Sequence, residues 1–153
     1  MKTFMIAALV VAAFAVPVHA ASVTVTQIKA TGSGGKPQID RELSDIADKL
    51  AKQFRFSTYS FLVRDSDTIR TGDTSTLDLK TGDFLDMAID AEEVDDRGNI
   101  RHKITVEVYQ KTQRGKKTIF KGTFKNPAGG TFLIGLPESQ TIGGTPIIAI
   151  KTQ

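Results

Sequence analysis

Cysteine is missing from this 153-residue chain, and so is tryptophan. Without cysteine there can be no disulfide, no thiolate nucleophile, no Cys–His pair and no lipid-modified N-terminal cysteine. Histidine is nearly as scarce, with only His19 and His102. A zinc site would have to be assembled mainly from carboxylates, which is unusual. Beyond the N-terminal segment, a Ser–His–Asp arrangement could use only His102. That residue lies between Arg101 and Lys103 beside a charged turn, and it reads as a solvated side chain. An excess of one charge is lacking too. The 20 Lys and Arg stand against 17 Asp and Glu, a net +3, too little to argue for nucleic acid or an anionic membrane as partner.

Long apolar runs are absent but for one. Phe4 to Val16 is uncharged over 13 residues, too short to span a bilayer as a stable helix and the right length for the core of an export signal. Lys2 supplies the positive start, Pro17 breaks the run, and Val18-His19-Ala20 offers a small residue for cleavage. Residues 1–20 therefore read as a signal peptide, cut between Ala20 and Ala21. The expectation is a periplasmic or secreted product with no membrane span, formed by one β-rich domain over residues 21–153.

In that domain strand signals dominate. Ser22 to Ala30 is rich in β-branched residues and ends at a glycine stretch, Gly32 to Pro37. Its threonines and few apolar residues suggest an edge strand open to a partner. Residues 40–54 carry the one helical pattern, with Ile39, Leu43, Ile46, Ala47, Leu50 and Phe54 on one stripe. Asp40 is the expected N-cap, and Asp45–Lys49 and Asp48–Lys52 form acid-first pairs on the outer face. Further strands are expected at 56–63, 76–79, 84–89, 103–109, 117–124, 131–135 and 146–150. In the fourth of these, Ile104, Val106 and Val108 alternate with polar residues. Phe132-Leu133-Ile134 and Ile147-Ile148-Ala149-Ile150 are continuously apolar, which places both in the middle of the fold. The fold class is mainly β (α+β): an antiparallel β-sandwich or barrel-like sheet with one amphipathic helix packed on it.

The remaining candidate chemistry is thin. Asp90, Glu92, Glu93, Asp95 and Asp96 cluster before a Gly98-Asn99 turn. Paired carboxylates could hold calcium or do acid–base work, but the spacing misses the calcium-loop pattern and fits a hairpin tip. Asp65 and Asp67 read as another turn. Gly129-Gly130 and Gly143-Gly144 precede strands rather than helices, so neither presents a helix N-terminus to phosphate. The basic run Lys111, Arg114, Lys116 and Lys117 lacks interleaved aromatics and reads as a charged hairpin. No catalytic, cofactor-binding or metal residue is assigned, and no cofactor is expected.

Three stretches carry a resemblance: Ile39-Asp40 with Leu43, FRFSTYSF from Phe54 to Phe61, and the closing pair GGTFLIGLP and IGGTPIIAI. Through them the chain resembles small uncharacterised exported proteins of Gram-negative bacteria, a likeness that brings no activity with it. The GTFLIG segment is also similar to a glycine-flanked stretch of secretin-type outer-membrane channel proteins, which implies an envelope context. The resulting expectation is a non-enzymatic protein-interaction domain in envelope or secretion assembly, with an unidentified protein partner. The alternatives are a small ligand- or glycan-binding module, which would need Tyr59 or Tyr109 in a groove, and a carboxylate-dependent enzyme.

Overall fold

The computed structural model describes residues 19–153, so the expected signal segment lies, up to Val18, outside the described residues. Nine strands form two sheets. They are β1 (Ala20–Thr31), β2 (Gln38–Ile39), β3 (Thr58–Arg70), β4 (Thr74–Asp78), β5 (Phe84–Val94), β6 (Ile100–Thr112), β7 (Gly115–Pro127), β8 (Thr131–Gly135) and β9 (Thr145–Thr152). The five-stranded sheet runs β2-β3-β1-β9-β8 and the four-stranded sheet β4-β5-β6-β7. Pairing is antiparallel within both, save for the short parallel β2–β3 contact. The architecture is thus an open β-sandwich with a helix on it, not a closed barrel.

Strand alternation explains the layering. In the four-stranded sheet Leu85, Met87, Ile89, Ile104, Val106 and Val108 all face the other sheet and are buried. Val23, Val25, Ile148 and Ile150 meet them from β1 and β9. The intervening residues of those two strands, Ile28, Ala30, Ile147 and Ala149, face the opposite way, into a second core under the helix. The five-stranded sheet is therefore covered on both faces, and this is why β9 is apolar without a break. A bulge opposite Gln27 and Ile28 leaves Leu62 unpaired in β3. It turns Tyr59 and Phe61 toward the helix and Ile69 toward the sandwich.

Four expectations need correction. The helix is not continuous over 40–54: a 3-10 turn spans Arg41–Leu43, and helix α1 spans only Ala47–Gln53. Asp40 does not cap it, because its carboxylate accepts the Phe61 amide at 2.8 Å and pins the segment to β3. Asp45 likewise faces Arg64 at 3.5 Å, and Lys49 donates to the Thr131 carbonyl. The stripe itself holds, since Leu43, Ile46 and Leu50 are buried. Second, β1 is no edge strand; it lies between β3 and β9. Its threonines misled because Thr24 and Thr26 meet polar partners, Ser66 at 2.9 Å and Arg64 at 2.9 Å. Third, of the two apolar C-terminal strands only β9 is interior, while β8 closes the sheet. Fourth, Asp65 and Asp67 sit within β3 rather than in a turn.

Candidate functional site

The two sheets share one open flank. Strand β7 is the last of the four-stranded sheet and β8 the last of the five-stranded one. Only residues 128–130 separate them in sequence, so the chain turns a corner from one edge to the other. Gly129 N donates to Thr152 O at 2.6 Å. The Asn126 side-chain amide bonds Gly130 O at 2.7 Å and Thr152 Oγ1 at 2.8 Å. These bonds clamp one end of the flank. Along it, Phe124 stacks on Phe132 with ring centres 4.4 Å apart, and Phe120 lies 6.2 Å from Phe124. All three rings are half-buried. Gly122 lets them close over the strand, because a Cβ there would lie 3.1–3.2 Å from the rings of Phe120 and Phe124.

The backbone along this flank is the notable feature. β7 is 13 residues long and, among the described residues, β6 is its sole strand neighbour. In an antiparallel pair only alternate amides and carbonyls point to the partner, so half of those on β7 point outward. Natural edges of this length are guarded by charge, and this one carries Lys116, Lys117, Lys121 and Lys125 with no acidic residue.

The outer face of the four-stranded sheet is a satisfied polar network. Asp86 accepts from Thr76 at 2.7 Å, Tyr109 at 3.2 Å and Lys116 at 3.2 Å. Lys116 also reaches Glu107 at 3.6 Å and lies 4.2 Å over the Tyr109 ring. Burial opposes ionisation of Asp86, but the three hydrogen bonds and the lysine charge together lower its pKa. Glu107 is lowered chiefly by the Thr118 hydroxyl, and Lys116 is raised chiefly by its bond to Asp86. Tyr109 stacks on Phe84 at 5.7 Å and is buried, as is Tyr59, whose hydroxyl donates to Leu50 O at 3.3 Å. Neither tyrosine lines a groove of the kind glycan stacking needs.

The acidic residues of β5 are not a cluster in space. Alternation and a bulge near Asp90 send them to different faces. Asp90 accepts the Thr105 hydroxyl at 2.6 Å, Glu93 pairs with Lys125 at 3.0 Å, and Glu92 faces inward toward His102 at 3.6 Å. Asp95 builds the turn itself, accepting the amides of Arg97 and Asn99 at 2.9 Å. The Asn99 amide is the main reason its pKa is lowered. Among the described residues no group of three His, Cys, Asp or Glu could hold a metal. A shallow depression of about 440 Å³ borders this tip, with Asp95 as its one carboxylate.

His102 corrects another expectation. It is not solvated: it is 3 % exposed and continues the buried face of Ile104, Val106 and Val108. Among the described residues its Nδ1 has no hydrogen-bond partner, while its Nε2 faces Glu92. The flanking Arg101 and Lys103 lie on the opposite face of the strand, so neighbours in sequence said nothing about its surroundings.

A polar cleft of about 450 Å³ lies at the sandwich end, lined by Asp83, Gln110, Lys117, Leu136 and Glu138 among others. It has no aromatic platform.

No protein-family model matches the chain, and neither a curated protein nor a solved structure matches it.

The sequence reading missed the β7 edge. The signal was present as four lysines on a 13-residue strand without an acid, but which strand ends a sheet is settled by pairing across the fold.

Proposed function

We propose that this chain is an exported, non-enzymatic interaction domain that acts in the periplasm or outside the cell, within an envelope or secretion assembly. Its docking element is the open edge of β7. The observation that carries this reading is a 13-residue strand with a neighbour on one side only. Backbone pairing at such an edge is a general way for a sheet to capture an extended partner segment. Export is supported by Lys2, the Phe4–Val16 run and Ala20, and cleavage after Ala20 would shorten β1 (Ala20–Thr31) by one residue.

The electrostatics speak against one catalytic role, that of general acid. The carboxylates with shifted pKa, Asp67, Asp86, Asp95 and Glu107, all move downward. A general acid working near neutral pH needs the opposite shift. The ligand-binding alternative finds a cleft but no stacking tyrosine.

The test is site-specific photo-crosslinking in the native envelope fraction. A crosslinker at Thr123 on β7 should give a discrete protein adduct. One at Thr76 on β4, the other edge of the same sheet, should not. Equal labelling at both positions, or none at Thr123, rejects β7 as the docking edge.

A further inference from the structure

The two faces of β7 differ in chemistry, and the difference specifies what an added strand should look like. Register with β6 places Glu107 opposite Lys121, Thr105 opposite Thr123 and Lys103 opposite Lys125, all on the outer face. The same register places Val108 opposite Phe120, Val106 opposite Gly122 and Ile104 opposite Phe124, all on the inner face. A strand laid along β7 would send alternate side chains to these two faces. Those on the inner side would meet the half-buried rings of Phe120, Phe124 and Phe132 and cover them. Those on the outer side would stand beside Lys121 and Lys125.

The lysines on the outer side are not fully neutralised from within. Lys116 is held by Asp86 and Glu107, and Lys125 by Glu93. Lys121 acts on cross-strand Glu107, whose pKa it helps to lower, but makes no close ion pair among the described residues and shares that acid with Lys116. The Lys125 side chain is 58 % exposed. Opposite charges directly across two strands are favourable and like charges are not. A second copy of this chain, adding its own β7, would bring lysine against lysine. It therefore fits poorly as occupant.

We infer that the β7–β8 flank receives an extended protein segment in which acidic and apolar residues alternate. Apolar side chains close the gap between the two sheets, and acidic ones pair with the lysine row. This inference rests on β7 being the docking edge. It goes further in committing to the partner's chemistry.

Isotope-labelled protein should be titrated with four nine-residue or longer probes: alternating Glu and Val, alternating Lys and Val, alternating Thr and Val, and poly-glutamate. The expected result is that the Glu/Val peptide shifts the amide signals of Gly115–Pro127 and Thr131–Gly135 and binds at least tenfold tighter than the other three. Lys121→Glu with Lys125→Glu should reverse the order, favouring Lys/Val. If that variant does not melt cooperatively, Lys121→Gln with Lys125→Gln should remove the Glu/Val preference instead. Equal binding of Thr/Val overturns the acidic requirement while leaving edge docking intact. Equal binding of poly-glutamate reduces the flank to a basic patch and overturns the inference. So does a Glu/Val peptide that shifts no β7 signal, whatever the crosslinking at Thr123 shows. A concentration-dependent dimer in solution, blocked by Thr123→Pro, would make a second copy the occupant and would overturn it as well.

Discussion

Leu50→Ala should unfold the helix from the sheet and cost the protein a large part of its stability. Leu50 is 0 % exposed and packs with Leu43, Ile46, Tyr59 and Ile147 in the core under α1. Returning the lost side-chain atoms to a water-like reference accounts for about 1.5–3 kcal/mol. The cavity left behind raises the total to about 2–5 kcal/mol, against a typical domain stability of about 5–15 kcal/mol. The upper half of that range applies here because α1 has only seven residues. A helix that short has no stability of its own, so its order derives from the docked face. The Phe54 amide, bonded to Leu50 O at 3.0 Å, should exchange with solvent much faster in the variant. For a chain of this size the melting temperature should fall by roughly 8–20 °C. Lys49→Ala is the control. It removes a surface hydrogen bond to Thr131 O and should cost no more than about 1 kcal/mol. Calorimetry and hydrogen exchange on the two variants decide the matter. Equal, small effects would refute the docking argument and make the apolar stripe of α1 an open surface.

Stability should decline at both ends of the pH scale, for opposite reasons. Asp67, Asp86 and Asp95 have folded pKa values below the ordinary 3.8. Their contribution is complete above that value and lost as pH falls through the folded values. Lys116 is raised above 10.5 by Asp86, so its contribution is complete below 10.5 and lost as pH rises through its folded value. Asp86→Asn should weaken both limbs of a denaturation-versus-pH profile, and a variant that leaves both unchanged contradicts the Asp86–Lys116 assignment. His102→Leu extends an apolar strand face and removes a buried, unpartnered Nδ1. The same change takes away a partner of Glu92, whose carboxylate lies 3.6 Å from His102 Nε2. The gain from losing an unmet polar atom, about 1–3 kcal/mol, is thereby offset, and stability should stay within about 1 kcal/mol of the parent. A loss above about 2 kcal/mol in urea titration would show that the Nε2–Glu92 contact outweighs the unmet Nδ1.

Local pattern decided more here than placement did. The alternation of Ile104, Val106 and Val108 identified a half-buried strand, because side-chain period in a strand does not depend on neighbours. The unbroken apolar run at Ile147 to Ile150 identified a two-sided strand, because no other environment avoids exposing half of it. The stripe through Leu43, Ile46 and Leu50 identified the face that docks. It could not show that the chain breaks after Leu43, nor that Asp40 accepts the Phe61 amide 21 residues away instead of capping the helix. His102 looked solvated beside two cations, yet strand pleating turns it inward while Arg101 and Lys103 turn out. The acidic run looked like a cluster, yet the same pleating and a bulge scatter it across two faces. The four lysines of Gly115 to Pro127 are a signal for an edge, but neither they nor the threonines of Ser22 to Ala30 settle which strand ends a sheet. Edge status belongs to the order of strands, and that order is fixed by how two apolar faces close on each other. Composition established the lack of cysteine and the scarcity of histidine, and the strand patterns established a β-rich chain. The tertiary structure alone put β1 inside and left β7, with its lysines and its half-covered phenylalanines, on the open flank.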